Sequence, residues 1–461
     1  LSFIKWGDKL RGKDDRGIMN VKTVTFKGGI HPSYNKEFTA SKPIRPAALP
    51  QTAVIPLQQH VGAPCKPLVK AGDEVKVGQK IGEAGGFVSV PVHASVSGKV
   101  VAVEPRLHPG GQQVMSLVIE SDGQDTVDEN VQPRGDIDKL SAKEIIDIIK
   151  EAGIAGLGGA AFPTHVKLSP PPDKKVELVI INGAECEPYL TCDHRLMLEQ
   201  TDDVIYGTRA IMKALGVSKG IIAIENNKPD AIAAMLKATS AYANIEVMAL
   251  KTKYPQGAEK QLIKAITGKE VPSGGLPADV GTVVDNVGTA ATIARAIKTG
   301  MPLIERAVTV TGRGIKEPAN LMVRIGTPFS QLIDECGGFA DKPGKMIMGG
   351  PMMGIAQYSL DVPVIKGTSG ILVLTEGEAQ APQVQVCIRC ARCVEACPAD
   401  LLPLYISRYA LAGMYDKAEQ YNAMDCIECG CCSFECPAKR PLVESIRLAK
   451  RAIAANRRKA G

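Results

Sequence analysis

Eight cysteines near the end of this chain repeat one spacing. Cys387, Cys390, Cys393 and Cys397 precede Pro398, and Cys426, Cys429, Cys432 and Cys436 precede Pro437, so both runs read C-x2-C-x2-C-x3-C-P. In such a run three closely spaced thiolates face three irons of a cubane and the fourth reaches the other cluster. The pattern predicts two 4Fe-4S clusters, one on Cys387, Cys390, Cys393 and Cys436, the other on Cys426, Cys429, Cys432 and Cys397. A zinc ribbon needs only four ligands from paired C-x2-C units, and leaves the extra cysteine and the proline of each run unexplained. The remaining cysteines (Cys65, Cys186, Cys192, Cys336, Cys431) are scattered, which is not a disulfide framework. Cys431 breaks the x2 spacing and reads as a neighbour of the second cluster. Thiolates that hold iron need a reducing compartment, so a protein in the cytoplasm or facing it is expected.

A second candidate is the glycine-rich stretch GIAGLGGAAFPTHVKL (153–168), which follows a helix signal and precedes a strand. A Rossmann fingerprint follows a strand and opens a helix, so the order is wrong for one. As a bare pattern it fits a turn-rich connection as well as a phosphate or flavin cradle. Gly156, Gly158 and Gly159 would let backbone N–H groups approach a flavin phosphate or ring with no Cβ in the way. Lys167, within the same stretch, can supply a point charge to phosphate.

These residues need a scaffold, and 461 residues suffice for three or more domains. Residues 50–120 repeat short strand-and-turn units, implying a small all-β barrel or sandwich. Ser141 and Glu144 form a capping box before Ile145, Ile146, Ile148 and Ile149, so a helix is expected over 142–151. Strand-like runs at 176–183, 220–226 and 245–251 alternate with helix-like stretches at 193–215 and 228–242, a βαβ series with a parallel sheet. Short strands with glycine turns return over 307–375, and the polar linker EGEAQAPQVQ leads to the cysteines. The segment between Cys397 and Cys426 can hold two helices, so the cluster domain is read as the α-helical ferredoxin type.

Taken in order, four stretches resemble the FMN- and NADH-binding subunit of respiratory complex I. They are the glycine loop, INGAECEPYLTCDHRLM (181–197), YPQGAEKQLIKAITGKEVP (254–272) and VVDNVGTAATIARAI (283–297). Residues 69–103 resemble the lipoyl/biotinyl barrel-sandwich hybrid, but Gly86, Phe87 and Val88 stand at the tip where a carrier lysine would sit. With FKGGIHP (26–32), that hybrid and the twin cysteine runs, the chain more closely resembles the C subunit of the Rnf electron-transport complex, over about residues 21–440. Residues 305–375 resemble the β-grasp module of the same family.

The fold class implied is multidomain α/β: an N-terminal barrel-sandwich hybrid, a Rossmann-like α/β flavin domain, a β-grasp module and a C-terminal α-helical ferredoxin domain. The expected divisions are an extension (1–20), hybrid (21–130), FMN/NADH domain (131–302), β-grasp module (303–376), ferredoxin domain (377–440) and basic helix or tail (441–461). By resemblance, Asn182, Glu185, Gly257, Asn286 and Thr289 line FMN, and Phe162, Lys167, Glu187 and Glu259 face the nicotinamide nucleotide. Three positions depart from the complex I pattern: Ala184, Ala258 and Pro170 replace two acids and an aromatic. The flavin reading survives these changes better than the NADH reading.

The resemblance implies a peripheral subunit on the cytoplasmic face of the membrane. It takes electrons from NADH onto FMN and passes them through two clusters to membrane-embedded and peripheral partners, coupled to ion translocation and to ferredoxin. Two other functions are compatible with parts of the pattern: a soluble cobalamin reductase, against which FKGGIHP argues, and an electron wire without nucleotide chemistry. No run approaches the ~20 apolar residues that span a bilayer, and the opening residues are too charged for a secretory signal. Eight Lys/Arg against one Glu over 439–461 suggest a solvated helix face or a docking segment for an anionic surface. No aromatic is interleaved there, which speaks against nucleic acid.

Overall fold

The computed structural model describes residues 23–460; the expected extension lies outside the described residues. The first described stretch does not join the domain that follows it. Val24 bridges to Leu250, Ile30 to Tyr254, and β1 (Ile44–Pro46) pairs in parallel with a strand some 270 residues on. Residues 23–46 are thus tied by backbone hydrogen bonds to later modules, while the strands of the hybrid run from Thr52 to Ser121.

The hybrid consists of a four-stranded sheet and a three-stranded one. The first contains β2 (Thr52–Pro56), β4 (Glu74–Val75), β7 (Gly98–Leu107) and β8 (Gln113–Ser121), the second β3 (Lys66–Pro67), β5 (Lys80–Glu83) and β6 (Val92–His93). Alternation puts Ala53, Ile55, Val75, Ile81, Val92, Val100, Leu117 and Ile119 into one core.

The next domain opens with α1 (Ala142–Glu151), which carries the expected capping box: Ser141 Oγ accepts from Glu144 N, and Glu144 reaches back to Ser141 N at 2.7 Å. After the short α2 (Thr164–Lys167) come β9 (Leu178–Gly183), α3 (Cys192–Glu199), α4 (Thr201–Leu215), β10 (Gly220–Glu225), α5 (Pro229–Ala238) and β11 (Ile245–Leu250). α6 (Glu259–Thr267), β12 (Thr282–Asn286) and α7 (Val287–Thr299) complete it. The four strands are parallel in the order β11-β10-β9-β12. The single helix expected over 193–215 is broken at Gln200, where Thr201 Oγ1 donates to the Met197 carbonyl at 2.6 Å. Separate apolar clusters on the two sheet faces explain why the strands read as continuous apolar runs.

In the β-grasp module, β13 (Glu305–Thr311), β14 (Ala319–Arg324), β15 (Pro343–Met348), β16 (Ile355–Gln357) and β17 (Gly370–Thr375) combine with β1, and α8 (Phe329–Glu335) packs against them. The cluster domain contains α9 (Arg392–Glu395), α10 (Pro403–Leu411), α11 (Tyr415–Gln420), α12 (Cys431–Glu435) and α13 (Leu442–Ala460). α13 is not a detachable tail. Ile446, Ala449 and Ile453 form a stripe buried with Leu401, Ile406, Ala410 and Ala418, and each large apolar side chain contributes roughly 1.5–3 kcal/mol. The basic composition of the segment hides that stripe. Among the described residues, no helix is long and apolar enough to cross a membrane.

Candidate flavin and iron-sulfur site

The two cysteine runs fold as copies of one unit, 39 residues apart. Arg389, Ala391 and Asp400 have positive φ, and so do Glu428, Gly430 and Lys439 at the matching positions. These left-handed residues turn each loop into a one-turn helix, α9 or α12, so that its thiols converge. In both copies a backbone N–H approaches the fourth sulfur: Leu401 N to Cys397 Sγ at 3.4 Å, Arg440 N to Cys436 Sγ at 3.5 Å. Such contacts stabilise a thiolate and tune a cluster.

Cys387, Cys390, Cys393 and Cys436 line one cavity, with Ile388, Arg389 and Arg440. Cys397, Cys426, Cys429 and Cys432 line another, with Cys431 beside them. The chemistry of each four-thiol set suits a cubane. Burial raises Cys426 to about 11, so iron would have to displace its proton. The two environments differ sharply, since Cys387 and Cys390 are exposed whereas Cys429 and Cys432 are buried.

The loops suggest an acidic second site, through Asp425 and Glu428, opposite a basic first one. The structure removes much of that contrast. Glu428 pairs with Arg447 at 3.0 Å and Lys450 at 2.7 Å, both from α13, and Asp425 accepts from Ser273 Oγ at 2.8 Å. Lys450 Nζ also donates to the Cys426 carbonyl at 2.6 Å.

The glycine loop closes on itself where Gly156 N donates to the Phe162 carbonyl at 2.9 Å, with Phe162 itself half-buried. It is pinned to α7 by Leu157 N, which donates to Thr289 Oγ1 at 3.0 Å. A Cβ at Gly158 would stand 2.5 Å from Asn286 Nδ2, whereas a Cβ at Gly159 would meet nothing within 4 Å. Asn286 is the N-cap of α7: its Oδ1 accepts from Gly288 N at 2.8 Å and its Nδ2 donates to Asp193 Oδ2 at 2.6 Å. Its register partner is Asn182, the penultimate residue of β9, which donates to the Gly257 carbonyl at 2.8 Å and accepts from Ala184 N at 3.1 Å. Gly156, Gly158, Gly159, Asn182, Gly257, Asn286 and Thr289 thus gather at the carboxyl ends of β9 and β12, where parallel sheets place ligands.

Lys167 stands beside them, 3.1 Å from Glu259 Oε1 and 2.9 Å from the Val284 carbonyl. Burial would lower its pKa, but Asp285 and Glu259 outweigh that and hold it above the usual lysine value. Asp285 is buried with neither carboxylate oxygen hydrogen-bonded, and burial pushes it up to about 6 despite Lys167.

The two acids of ECEP are engaged elsewhere. Glu185 accepts from Asp193 N at 2.7 Å and His194 N at 3.2 Å, capping α3. Glu187 accepts from Met352 N at 3.1 Å and Met353 N at 2.8 Å, in the β15–β16 connection, and burial raises it to about 7. That contact requires Gly350, whose Cβ would lie 2.2 Å from Glu187 Oε2.

Tyr254 and Cys186, not singled out from sequence, join the two regions together with Cys431 and FKGGIHP. Tyr254 donates through its hydroxyl to the Cys429 carbonyl at 2.9 Å, and Cys431 Sγ lies 3.9 Å from the Tyr254 carbonyl. Cys186 packs with Tyr254, Cys429 and Cys431, and its Sγ lies 3.3 Å from where a Gly257 Cβ would be. FKGGIHP closes the other side: Gly29 N donates to the Ala396 carbonyl at 3.0 Å, and a Cβ at Gly28 would reach within 2.8 Å of the Cys397 carbonyl. The buried carboxyl of Asp193, raised to about 7 by burial and by Glu185, also went unread, since one Asp in a helical stretch carries no signal.

Comparison with known proteins gives four matches along the chain. Residues 24–124 match the RnfC barrel sandwich hybrid domain, 149–295 the Nuo51 FMN-binding domain, 307–356 the SLBB domain and 382–437 the 4Fe-4S dicluster domain. The C subunit of the Na(+)-translocating ferredoxin:NAD(+) oxidoreductase complex of Acetobacterium woodii is 58% identical, over 96% of this chain and 100% of its own length. The proton-translocating counterpart from Clostridium ljungdahlii is 52% identical over 92% and 93%, and the C subunit of the ion-translocating oxidoreductase complex of Rhodobacter capsulatus 43% over 93% and 83%. A crystal structure of NAD+-reducing NiFe-hydrogenase in the H2-reduced state aligns with TM-score 0.50 at 18% identity, over 72% of this chain and 69% of that one, a likeness of fold.

Proposed function

The chain belongs to the family of C subunits of ion-translocating ferredoxin:NAD(+) oxidoreductase complexes, and from that premise we propose how its residues move electrons. It is a peripheral electron-transfer subunit of such a complex, with FMN and two 4Fe-4S clusters as cofactors, NADH as nucleotide substrate and the other subunits as partners. Its place is the cytoplasmic face of the membrane, where the thiols stay reduced.

Bound FMN accepts two electrons together and releases them singly, a conversion needed between a hydride donor and one-electron clusters. The residues of the chain arrange that exchange. Gly156, Gly158 and Gly159 keep the loop free of side chains, Thr289 and Asn286 hold it against α7, and Asn182 fixes the Gly257 loop opposite. Lys167 remains charged and suits a phosphate, with Glu259 orienting it. Phe162 completes the nucleotide side, while Glu185 acts by holding α3 in place and Glu187 by holding the β15–β16 connection.

Eight thiols hold two clusters in the crossed arrangement. The observation that carries this reading is the adjacency of the Asn182–Gly257 contact, Cys186, Tyr254 and Cys429. It supports the second-run cluster as the one next to the flavin, and the exposed first-run cluster as the exit. Tyr254, Cys186 and Met352 exclude water from the gap.

One observation favours an electron wire without nucleotide chemistry: Glu185 and Glu187 already have backbone partners. Anaerobic addition of NADH to FMN-loaded protein separates the two. Bleaching of the flavin followed by reduced-cluster EPR signals is expected, and an unbleached flavin would leave the wire.

A further inference from the structure

The first-cluster cavity opens onto a surface that the fold leaves unfinished. Val386 is 83% exposed and Ile388 70%, among the largest exposures of apolar side chains in the protein, and both flank Cys387. Ile388 lines the cavity itself, as do Arg389 and Arg440. Residues 381–390 are all exposed and form no helix or strand; Gln385 N, donating to the Ala438 carbonyl at 2.9 Å, ties the stretch to the second run. Segments 387–393 and 436–440 carry Arg389, Arg392, Lys439 and Arg440 and no carboxylate.

The contrast with the second cluster is informative. There Arg447 and Lys450 are consumed by Glu428 and fill the protein's own surface. Around the first cluster, none of the four cations has an ion-pair partner among the described residues; the nearby pairs join other side chains, Arg447 and Lys450 with Glu428 and Lys27 with Asp400. An apolar centre rimmed by unpaired charge of one sign is the anatomy of a surface that meets an oppositely charged partner. Electron transfer also requires close approach, and this is where thiols of the first set reach solvent.

We propose that the surface around Cys387 and Cys390, centred on Val386 and Ile388 and rimmed by Arg389, Arg392, Lys439 and Arg440, docks an acidic electron-carrier subunit of the same complex that draws electrons from the first cluster. This rests on the cluster assignment above. Val386 and Ile388 supply the apolar contact that expels water, and the cations steer the partner and fix its orientation. One electron passes per encounter, oxidising the first cluster and reducing the partner's centre, with no bond made or broken.

The test uses the whole complex carrying Val386→Asp or Lys439→Glu, two exposed positions outside the ligand set. NADH bleaching of flavin, iron content and the EPR of both clusters report the internal machinery, and NADH-driven reduction of ferredoxin by the complex in energised vesicles reports onward flow. Onward flow is expected to fall about tenfold in each variant with the internal readouts unchanged, and the parental rate to drop with added salt. Should Val386→Asp lose iron, Val386→Ser removes the apolar contact without adding charge. Parental onward flow in both variants with intact clusters overturns the proposal. So does binding of phosphatidylglycerol vesicles through these residues without any effect on flow, which would make the patch a membrane contact. A parent chain with fewer than about eight irons would sink the cluster reading itself.

Discussion

Replacing Gly158 with alanine separates the packing of the glycine loop from the binding of flavin. The new Cβ would stand 2.5 Å from Asn286 Nδ2 and 2.8 Å from its Cγ, closer than carbon and nitrogen can approach. Asn286 is not free to yield, because its Oδ1 caps α7 and its Nδ2 is bonded to Asp193. Losing the cap costs about 1 kcal/mol, and losing the bond to a buried carboxyl about 1.5–3 kcal/mol. The lower entropy of the unfolded alanine chain returns about 0.4–1 kcal/mol, leaving roughly 1.5–3.6 kcal/mol of destabilisation. For a unit of this size that corresponds to about 3–14 °C in the melting of the flavin domain.

Gly159→Ala is the matched control, with no atom within 4 Å of its Cβ, and its stability should stay within about 0.5 kcal/mol of the parent. If flavin lies on the loop, that same Cβ enters its space, so this variant should fold normally and lose FMN. Scanning calorimetry and flavin fluorescence after gel filtration read the two effects separately. A Gly158→Ala protein melting with the parent would refute the Asn286 argument, and full FMN content in Gly159→Ala would move the flavin elsewhere.

Cys436→Ala should abolish the EPR signal of the cluster held by the first run and keep the other; the opposite loss would reverse the crossed assignment. Glu428→Gln should raise the potential of the second cluster by leaving Arg447 and Lys450 uncompensated beside it, a shift that a redox titration reads and that an unchanged potential would deny. Asp285 has a folded pKa of about 6 against an unfolded 3.8, so the protein binds more protons folded than unfolded and loses stability as pH rises through that window. The loss totals about 3 kcal/mol. Asp285→Asn should flatten that decline between pH 4 and 7 in urea titrations; an identical pH profile would mean that Asp285 is not the group responsible.

The chemistry of the clusters was legible in the sequence because a cubane dictates ligand number and spacing locally, and the repeat carried its own turns at positions 39 apart. The capping box of α1 and the apolar runs of the parallel sheet were legible for the same reason, since each is settled within a few residues. The glycine loop could be marked only as a connection or cradle. What makes it a site is Asn286, Thr289 and Asn182, which reach it through the register of β9 and β12.

Three other readings changed for want of partners. The basic helix expected at 441–461 had no named partner until its apolar stripe met α10 and α11, and Glu428 looked like an acidic neighbour of a cluster until Arg447 and Lys450 closed on it. Glu187 looked free for a nucleotide until the β15–β16 connection took its carboxylate. Tyr254 meets Cys429 across 175 residues of chain. Ligand spacing and periodicity are short-range properties that a sequence states outright. Charge compensation, burial and the path between redox centres depend on which distant side chain fills the next few ångströms, and only the packed tertiary structure decides that.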